Sequence, residues 1–108
     1  MLSKEYRLNR REIEELKSKK GSVLQGRFFG LIFQAQKDER RFALIVSNKI
    51  SKKAVVRNKI KRLFFQILQK GLTDFPQGKF LFLAKKYVAE ADADALENEL
   101  VYFGKQLH

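Results

Sequence analysis

Side chains able to do acid–base or covalent chemistry are scarce in these 108 residues. There is no Cys, and the single His is the last residue, His108. A thiolate nucleophile is therefore excluded, and an internal imidazole base is impossible. No acidic cluster stands at metal-ligand spacing outside the C-terminal segment, so no catalytic residue and no metal ligand is assigned. The chemistry the chain does carry is that of binding, concentrated in Ser47–Leu68, SNKISKKAVVRNKIKRLFFQIL. Seven Lys or Arg residues lie between Lys49 and Arg62, and no Asp or Glu occurs from Lys49 to Leu72. A basic face without interspersed acids is suited to a polyanion.

A helix must position these groups. With Ala54–Lys70 wound at about 100° per residue, Val56, Ile60, Leu63, Phe64, Ile67 and Leu68 share an apolar arc. Arg57, Asn58, Lys61 and Arg62 share a different one, and the Asn58 amide adds hydrogen-bonding specificity that solubility does not need. Phe65 falls near the middle of the polar arc. It either stacks on a base, at roughly 1–3 kcal/mol, or packs under a neighbouring segment, and the pattern leaves both open.

Composition sets the class. An apolar fraction of 44% with one Pro points to a folded chain, and 108 residues suffice for one domain with a modest core, residues 1–108. Twenty-three basic against twelve acidic residues, a net charge of +11, imply a nucleic acid or an anionic membrane surface as partner. The membrane is the poorer fit, because the helix's apolar arc is needed for the core of so small a domain. No run reaches spanning length and no signal peptide is visible, and the lack of Cys is in keeping with the cytosol. Residues 1–89 hold 22 basic and 7 acidic residues, whereas residues 90–108 hold 1 and 5. The C-terminal segment is thus expected to face away from a polyanion, or to shield it least.

The remaining elements follow in order. Asn9 and Glu12 form a capping box for a helix from Arg10 to Lys20, with Ile13 and Leu16 inward and Gly21 as the stop. Ser22–Gln36 alternates as one long strand, with Gly26 and Gly30 marking a bend or a close approach. Lys37–Arg40 is a polar turn, and Arg41–Ser47 returns as its hairpin partner. After Gly71 and the turn Asp74–Gly78, Lys79–Ala84 is a continuous apolar run, predicted to be a buried central strand. Asp92 caps a last helix, Ala93–Phe103, with Ala93, Leu96, Leu100 and Phe103 inside and Asp94, Glu97, Asn98 and Glu99 outside. This helix-strand-strand-helix-strand-helix order predicts an α+β fold, a two-layer α/β sandwich with a mixed sheet. No helix-turn-helix spacing surrounds the basic helix, which argues for RNA and against DNA. Composition and pattern stop there, at an RNA-binding domain without catalytic groups.

One stretch carries more. Ala54–Leu63, AVVRNKIKRL, resembles the signature of the protein subunit of bacterial ribonuclease P, an Arg-Asn-Arg core followed by a hydrophobic residue and Lys-Arg. Here Lys59 replaces the second Arg. The resemblance extends to Tyr6-Arg7-Leu8, to Gly21-Ser22-Val23 and Gly26-Arg27-Phe28, to Phe42–Ser47, and to Ala84-Lys85-Lys86.

It implies a fold shared with a ribosomal small-subunit protein and an elongation factor, with a left-handed βαβ crossover through residues 48–53 and the basic helix. It also implies a cytoplasmic ribonucleoprotein in which an RNA subunit, using RNA-bound Mg²⁺, removes the 5′ leader of precursor tRNA. The protein would be the non-catalytic subunit, binding no cofactor itself. By position, Lys49, Lys52, Lys53, Arg57, Asn58, Lys59 and Arg62 would contact the RNA subunit. The leader would lie in a cleft between first helix, sheet and basic helix, lined by Ile13, Lys17, Phe29, Leu31, Phe33, Lys61 and Phe65. Ile13 and Lys17 stand where the family often has two aromatics, and Phe65 where it often has another Arg. The alternative is a structural rRNA-binding protein of related fold, which would sediment with a ribosomal subunit.

Overall fold

The computed structural model describes residues 4–18, 21–71 and 75–107, and for Lys4 the backbone alone. The expected helical residues Lys19 and Lys20, and Asp74 of the expected turn, lie outside the described residues, as do residues 1–3 and His108. After a 3-10 turn at Lys4–Tyr6 come α1 (Arg10–Ser18), β1 (Ser22–Gln25), β2 (Phe29–Ala35) and β3 (Arg40–Ile45). Then follow α2 (Ala54–Lys70), β4 (Gly78–Ala84), a second 3-10 turn at Lys86–Glu90, and α3 (Ala93–Leu107).

The strands form one mixed sheet in the order β1-β2-β4-β3. β4 runs antiparallel to β2, with Leu31 opposite Phe82, and parallel to β3, with Phe42 opposite Phe80. The apolar run of β4 thus sits inside the sheet, as predicted. Two strand expectations are corrected. Ser22–Gln36 is a tight antiparallel hairpin of β1 and β2, folding back at residues 26–28 with Gln25 opposite Gly30. β3 is not the hairpin partner of β2, because β4 lies between them. A strand apolar on both faces gains most from a central place, and that favours β4 over the more polar Arg40-Arg41 start of β3.

Strand alternation divides the core. Phe29 and Leu31 of β2, Phe80 and Phe82 of β4, and Phe42 and Leu44 of β3 point to one face. There they meet Ile60, Phe64 and Leu68 of α2 and Leu96, Leu100 and Phe103 of α3. Phe64 packs edge-on against Phe29 at 5.3 Å and Phe82 at 5.0 Å, pairs worth about 0.5–1.5 kcal/mol each beyond area burial. These helices and the sheet make the principal two-layer packing of the α+β fold. The short α1 covers part of the other face, with Leu8, Leu16, Ala43 and Leu81 buried and Ile13, Ile32, Ile45 and Leu83 half-buried around them.

Buried polar contacts lock these pieces. The capping box forms as predicted: Asn9 N–H donates to Glu12 Oε1 at 3.1 Å and Glu12 N–H to Asn9 Oδ1 at 2.9 Å. Glu12 is also the buried centre of an ion cluster, 2.8 Å from Arg41 Nη1 and 3.2 Å from Lys79 Nζ, which ties α1 to β3 and β4. Burial alone pushes its carboxyl up, but the Asn9 N–H, the Lys79 ammonium and the Arg41 guanidinium outweigh burial and hold it below its ordinary value.

Glu99, expected on the outer face of α3, turns instead onto the β1–β2 turn. Its carboxylate accepts from Arg27 N–H at 2.5 Å and from Phe28 and Phe29 N–H at 2.9 Å. A Cβ at Gly26 would stand 2.6 Å from that carboxyl carbon, so any larger residue there would have to displace the Glu99 carboxylate from the turn. Ala93, expected inside, is exposed at the start of α3.

Candidate nucleic-acid interface

The interface is built on the unpaired side of α2. Burial of Ile60, Phe64 and Leu68 fixes the helix's rotation, and Asn58, Lys59 and Arg62 are then exposed while Lys61 and Arg57 are half-buried. The start of the helix is poor in partners. Lys53 at the N-cap makes no side-chain capping bond, and the first turn holds no acid. The orphan N–H groups and the positive end of the helix dipole therefore stay available to an anion.

The loop before α2 is ordered by the helix itself. Arg57 Nη1 donates to Ser51 C=O at 2.7 Å, and Lys53 N–H donates to Ser51 Oγ at 3.2 Å. Asn48, Lys49, Lys52 and Arg57 then line one concave surface. Part of the hydrogen-bonding capacity of Arg57 is thus spent on the loop, and its remaining donors face out with Lys49 and Lys52. Further along α2, Asn58, Lys61, Arg62 and Phe65 line a second cavity together with Arg7 and β3. Lys53 and Lys59 are exposed and line neither.

The cleft expected from the sequence is redrawn. Phe29 and Leu31 have 0% exposure and belong to the core beneath α2, so they cannot form a cleft floor. Phe33 shares their face, half-buried and stacked on Phe80 at 6.3 Å. Within β2 Phe29, Leu31 and Phe33 share one face as expected, but that face is the core, and Val23, across the β1–β2 turn, pairs with Ile32 and lies on the other. The face beside α1 carries Ile32, Ile45 and Leu83, half-buried next to Ile13, with Lys17 exposed one helical turn from Ile13.

In an alternating strand Ile32 falls on the face opposite Phe29 and Leu31, so the signal is present in the sequence. What was missing was which face the long helices take. α1 and α2 lie against opposite faces of the sheet, and the edge of β3 runs between them. Phe65 is half-buried, edge-on to Phe64 at 5.1 Å, with the Arg7 guanidinium 5.3 Å from its ring centre. It packs and lines a cavity at once. Arg7 was not singled out from the sequence.

Among the described residues no group of three or more His, Cys, Asp or Glu is gathered to hold a metal ion, and no helix is long and apolar enough to cross a membrane.

Comparison with known proteins agrees along nearly the whole chain. The family model described as Ribonuclease P matches residues 2–108. A ribonuclease P protein component from Bacillus cereus is 31% identical over 109 residues, covering 97% of this chain and 93% of its own. One from Bacillus anthracis is 31% identical, with 97% and 90% covered. The RNase P protein from Thermotoga maritima superposes with a TM-score of 0.82 at 27% identity, over 94% of this chain and 97% of that one. The Staphylococcus aureus RNase P protein has the same fold, with a TM-score of 0.79 at 22% identity over 94% and 96%.

Proposed function

This chain belongs to the ribonuclease P protein family, and we propose from that premise that it binds the ribonuclease P RNA subunit and the 5′ leader of precursor tRNA. One observation carries the reading: a basic loop and an uncapped helix N-terminus, free of acids, meet at the concave surface of Lys49, Lys52 and Arg57, and Lys53, Asn58, Lys59 and Arg62 are exposed at the N-cap and along the same helix. Phosphate oxygens of a folded RNA satisfy both the cations and the orphan N–H groups. Membership in this family, rather than in a ribosomal one, removes the ground for the rRNA reading.

The leader takes the other accessible ground. We propose that it lies on the sheet face beside α1, over Ile32, Ile45 and Leu83, with Ile13 as a wall and Lys17 at the rim. A half-buried aliphatic floor edged by a cation suits a single strand without reading its sequence closely. Ile13 and Lys17 keep their expected place in this arrangement, while Phe29, Leu31 and Phe33 leave it. Cleavage belongs to the RNA subunit, whose bound Mg²⁺ supplies Lewis-acid and water-activating chemistry. This chain's residues neutralise phosphate, orient the strand and need move no proton. The working compartment in this reading is the cytoplasm.

The test is cleavage of precursor tRNA by the RNA subunit at low Mg²⁺, with and without the protein. The expected result is a rise in cleavage of precursor tRNA on addition of the protein, with binding of leader-bearing precursor strengthened more than binding of mature tRNA. Unchanged processing on addition of the protein would defeat the proposal.

A further inference from the structure

At the β3 edge of the sheet, Arg7, β3 and α2 border an open cavity of about 440 Å³. Its first wall is the segment following the N-terminal 3-10 turn. Leu8 N–H donates to Phe42 C=O at 2.9 Å, and Arg7 pairs with Phe42 in a parallel bridge. Arg41 holds this segment down, donating from Nε and Nη2 to the Arg7 carbonyl at 3.2 and 2.8 Å. Opposite it, α2 presents Asn58, Lys61, Arg62 and Phe65.

Three properties of the cavity define its occupant. Arg7, Lys61 and Arg62 bring three cations, and no carboxylate is among the lining residues. Arg7 Nε is buried with no hydrogen-bond partner, a costly state, and the Arg7 side chain to which it belongs lines the cavity, where a phosphate oxygen would meet charged donors. The second property is a flat apolar layer: the Arg7 guanidinium over the Phe65 ring, beside Leu44.

The third is an open strand edge. β3 pairs within the sheet only with β4. In a parallel strand, alternate residues direct both N–H and C=O to the same side. Phe42 C=O points outward to Leu8, so Leu44 turns its N–H and C=O to that same outer edge, where no described strand pairs with them. A donor, an acceptor and the Asn58 amide thus stand beside a stacking layer and a phosphate site. A paired base within a duplex cannot reach all three, whereas an unstacked one can.

We propose that this cavity receives one unstacked nucleotide of the bound RNA, its phosphate among Arg7, Lys61 and Arg62 and its base against the Arg7–Phe65 layer at the Leu44 edge. The proposal rests on the RNA-binding reading above and adds to it a built single-strand site with Arg7 as a member.

The first experiment titrates the isotope-labelled full chain with adenosine, guanosine, cytidine and uridine 5′-monophosphates, and separately with inorganic phosphate, followed by NMR. The nucleotides are expected to shift the Leu44 amide and the Phe65 ring, and phosphate alone to leave Leu44 in place. Arg7→Ala is expected to weaken nucleotide binding about 10-fold, the scale of one lost stacking and phosphate contact. Shifts confined to residues 48–57, or equal Leu44 shifts with phosphate and nucleotide, overturn the pocket.

A second measurement compares affinities for an RNA-subunit transcript and for a leader oligonucleotide in the unaltered chain, Arg7→Ala and Phe65→Leu. Loss on one RNA supports the site and identifies the source of its nucleotide, and loss on both supports it for a nucleotide shared between them. Unchanged affinity on both overturns the pocket while RNA binding stands. Absence of RNA binding by the unaltered chain overturns both readings.

Discussion

Glu12 shows how much rests on single side chains here. One carboxylate closes a helix cap and pairs with two cations from two strands. Because its folded-state value lies below the ordinary one, its stabilisation is full above the unfolded-state value and is lost as pH falls through the folded one. Glu12→Gln should therefore lower stability by about 1–3 kcal/mol at neutral pH, and should flatten the acid limb of a melting-temperature profile below about pH 5. A profile of unchanged shape would show that the cluster contributes nothing. The two arginines of α2 should separate in a similar way. Arg62 is exposed and makes no intramolecular ion pair among the described residues, so Arg62→Ala should reduce the salt dependence of RNA affinity by up to about one phosphate's worth of slope. Arg57→Ala should cost more affinity than its slope accounts for, because it also releases the loop held through Ser51. Equal behaviour of the two variants in a salt titration would refute that distinction.

Among the elements, β2 has two unlike faces, and substitutions on adjacent residues should report it. Leu31→Ala, in the core at 0% exposure, should cost about 2–5 kcal/mol of stability and reduce leader-bearing and mature substrates alike. Ile32→Ala should leave much more of the stability and weaken leader-bearing precursor more than mature tRNA. Chemical denaturation and paired binding assays check both, and a selective leader effect at Leu31 would restore the discarded face. The β1–β2 hairpin offers a separate check. Glu99 satisfies three turn N–H groups from another element, so Glu99→Ala should cost about 1–3 kcal/mol. Amide exchange at Arg27–Phe29 should speed up in that variant, and unchanged exchange would show the carboxylate to be dispensable.

Taken whole, the molecule separates its work in space. The phenylalanine-rich core lies between sheet and long helices, the basic face of α2 looks away from it, and a smaller aliphatic surface lies on the opposite side beside α1. The edge of β3, with the Arg7 cavity, lies between the two surfaces proposed to meet RNA. An RNA that crosses this edge touches all of them without opening the fold. The C-terminal acids sit on and near α3, which packs on the same face of the sheet as α2. One of them, Glu99, is structural rather than repulsive. The whole complex should then be strongly salt-sensitive, and dissociation from the RNA subunit between about 50 and 200 mM salt should steepen with the number of phosphates engaged.

The sequence by itself determined the elements and the partner class. Helical periodicity set the two arcs of α2, the capping box set the start of α1, and the apolar run of β4 demanded the interior. Charge without acids named a polyanion, and the motif in Ala54–Leu63 named the family. These are local properties, written in neighbouring residues. The tertiary structure alone decided that β4 separates β2 from β3, that Ser22–Gln36 folds back on itself, and which face of β2 the long helices cover. Those depend on contacts between distant segments, and a period of two cannot say which of two apolar faces is inside when both are apolar. For the same reason Glu99 looked like surface, and Arg7 had no place among the expected site residues, until residues more than fifty positions away closed around them.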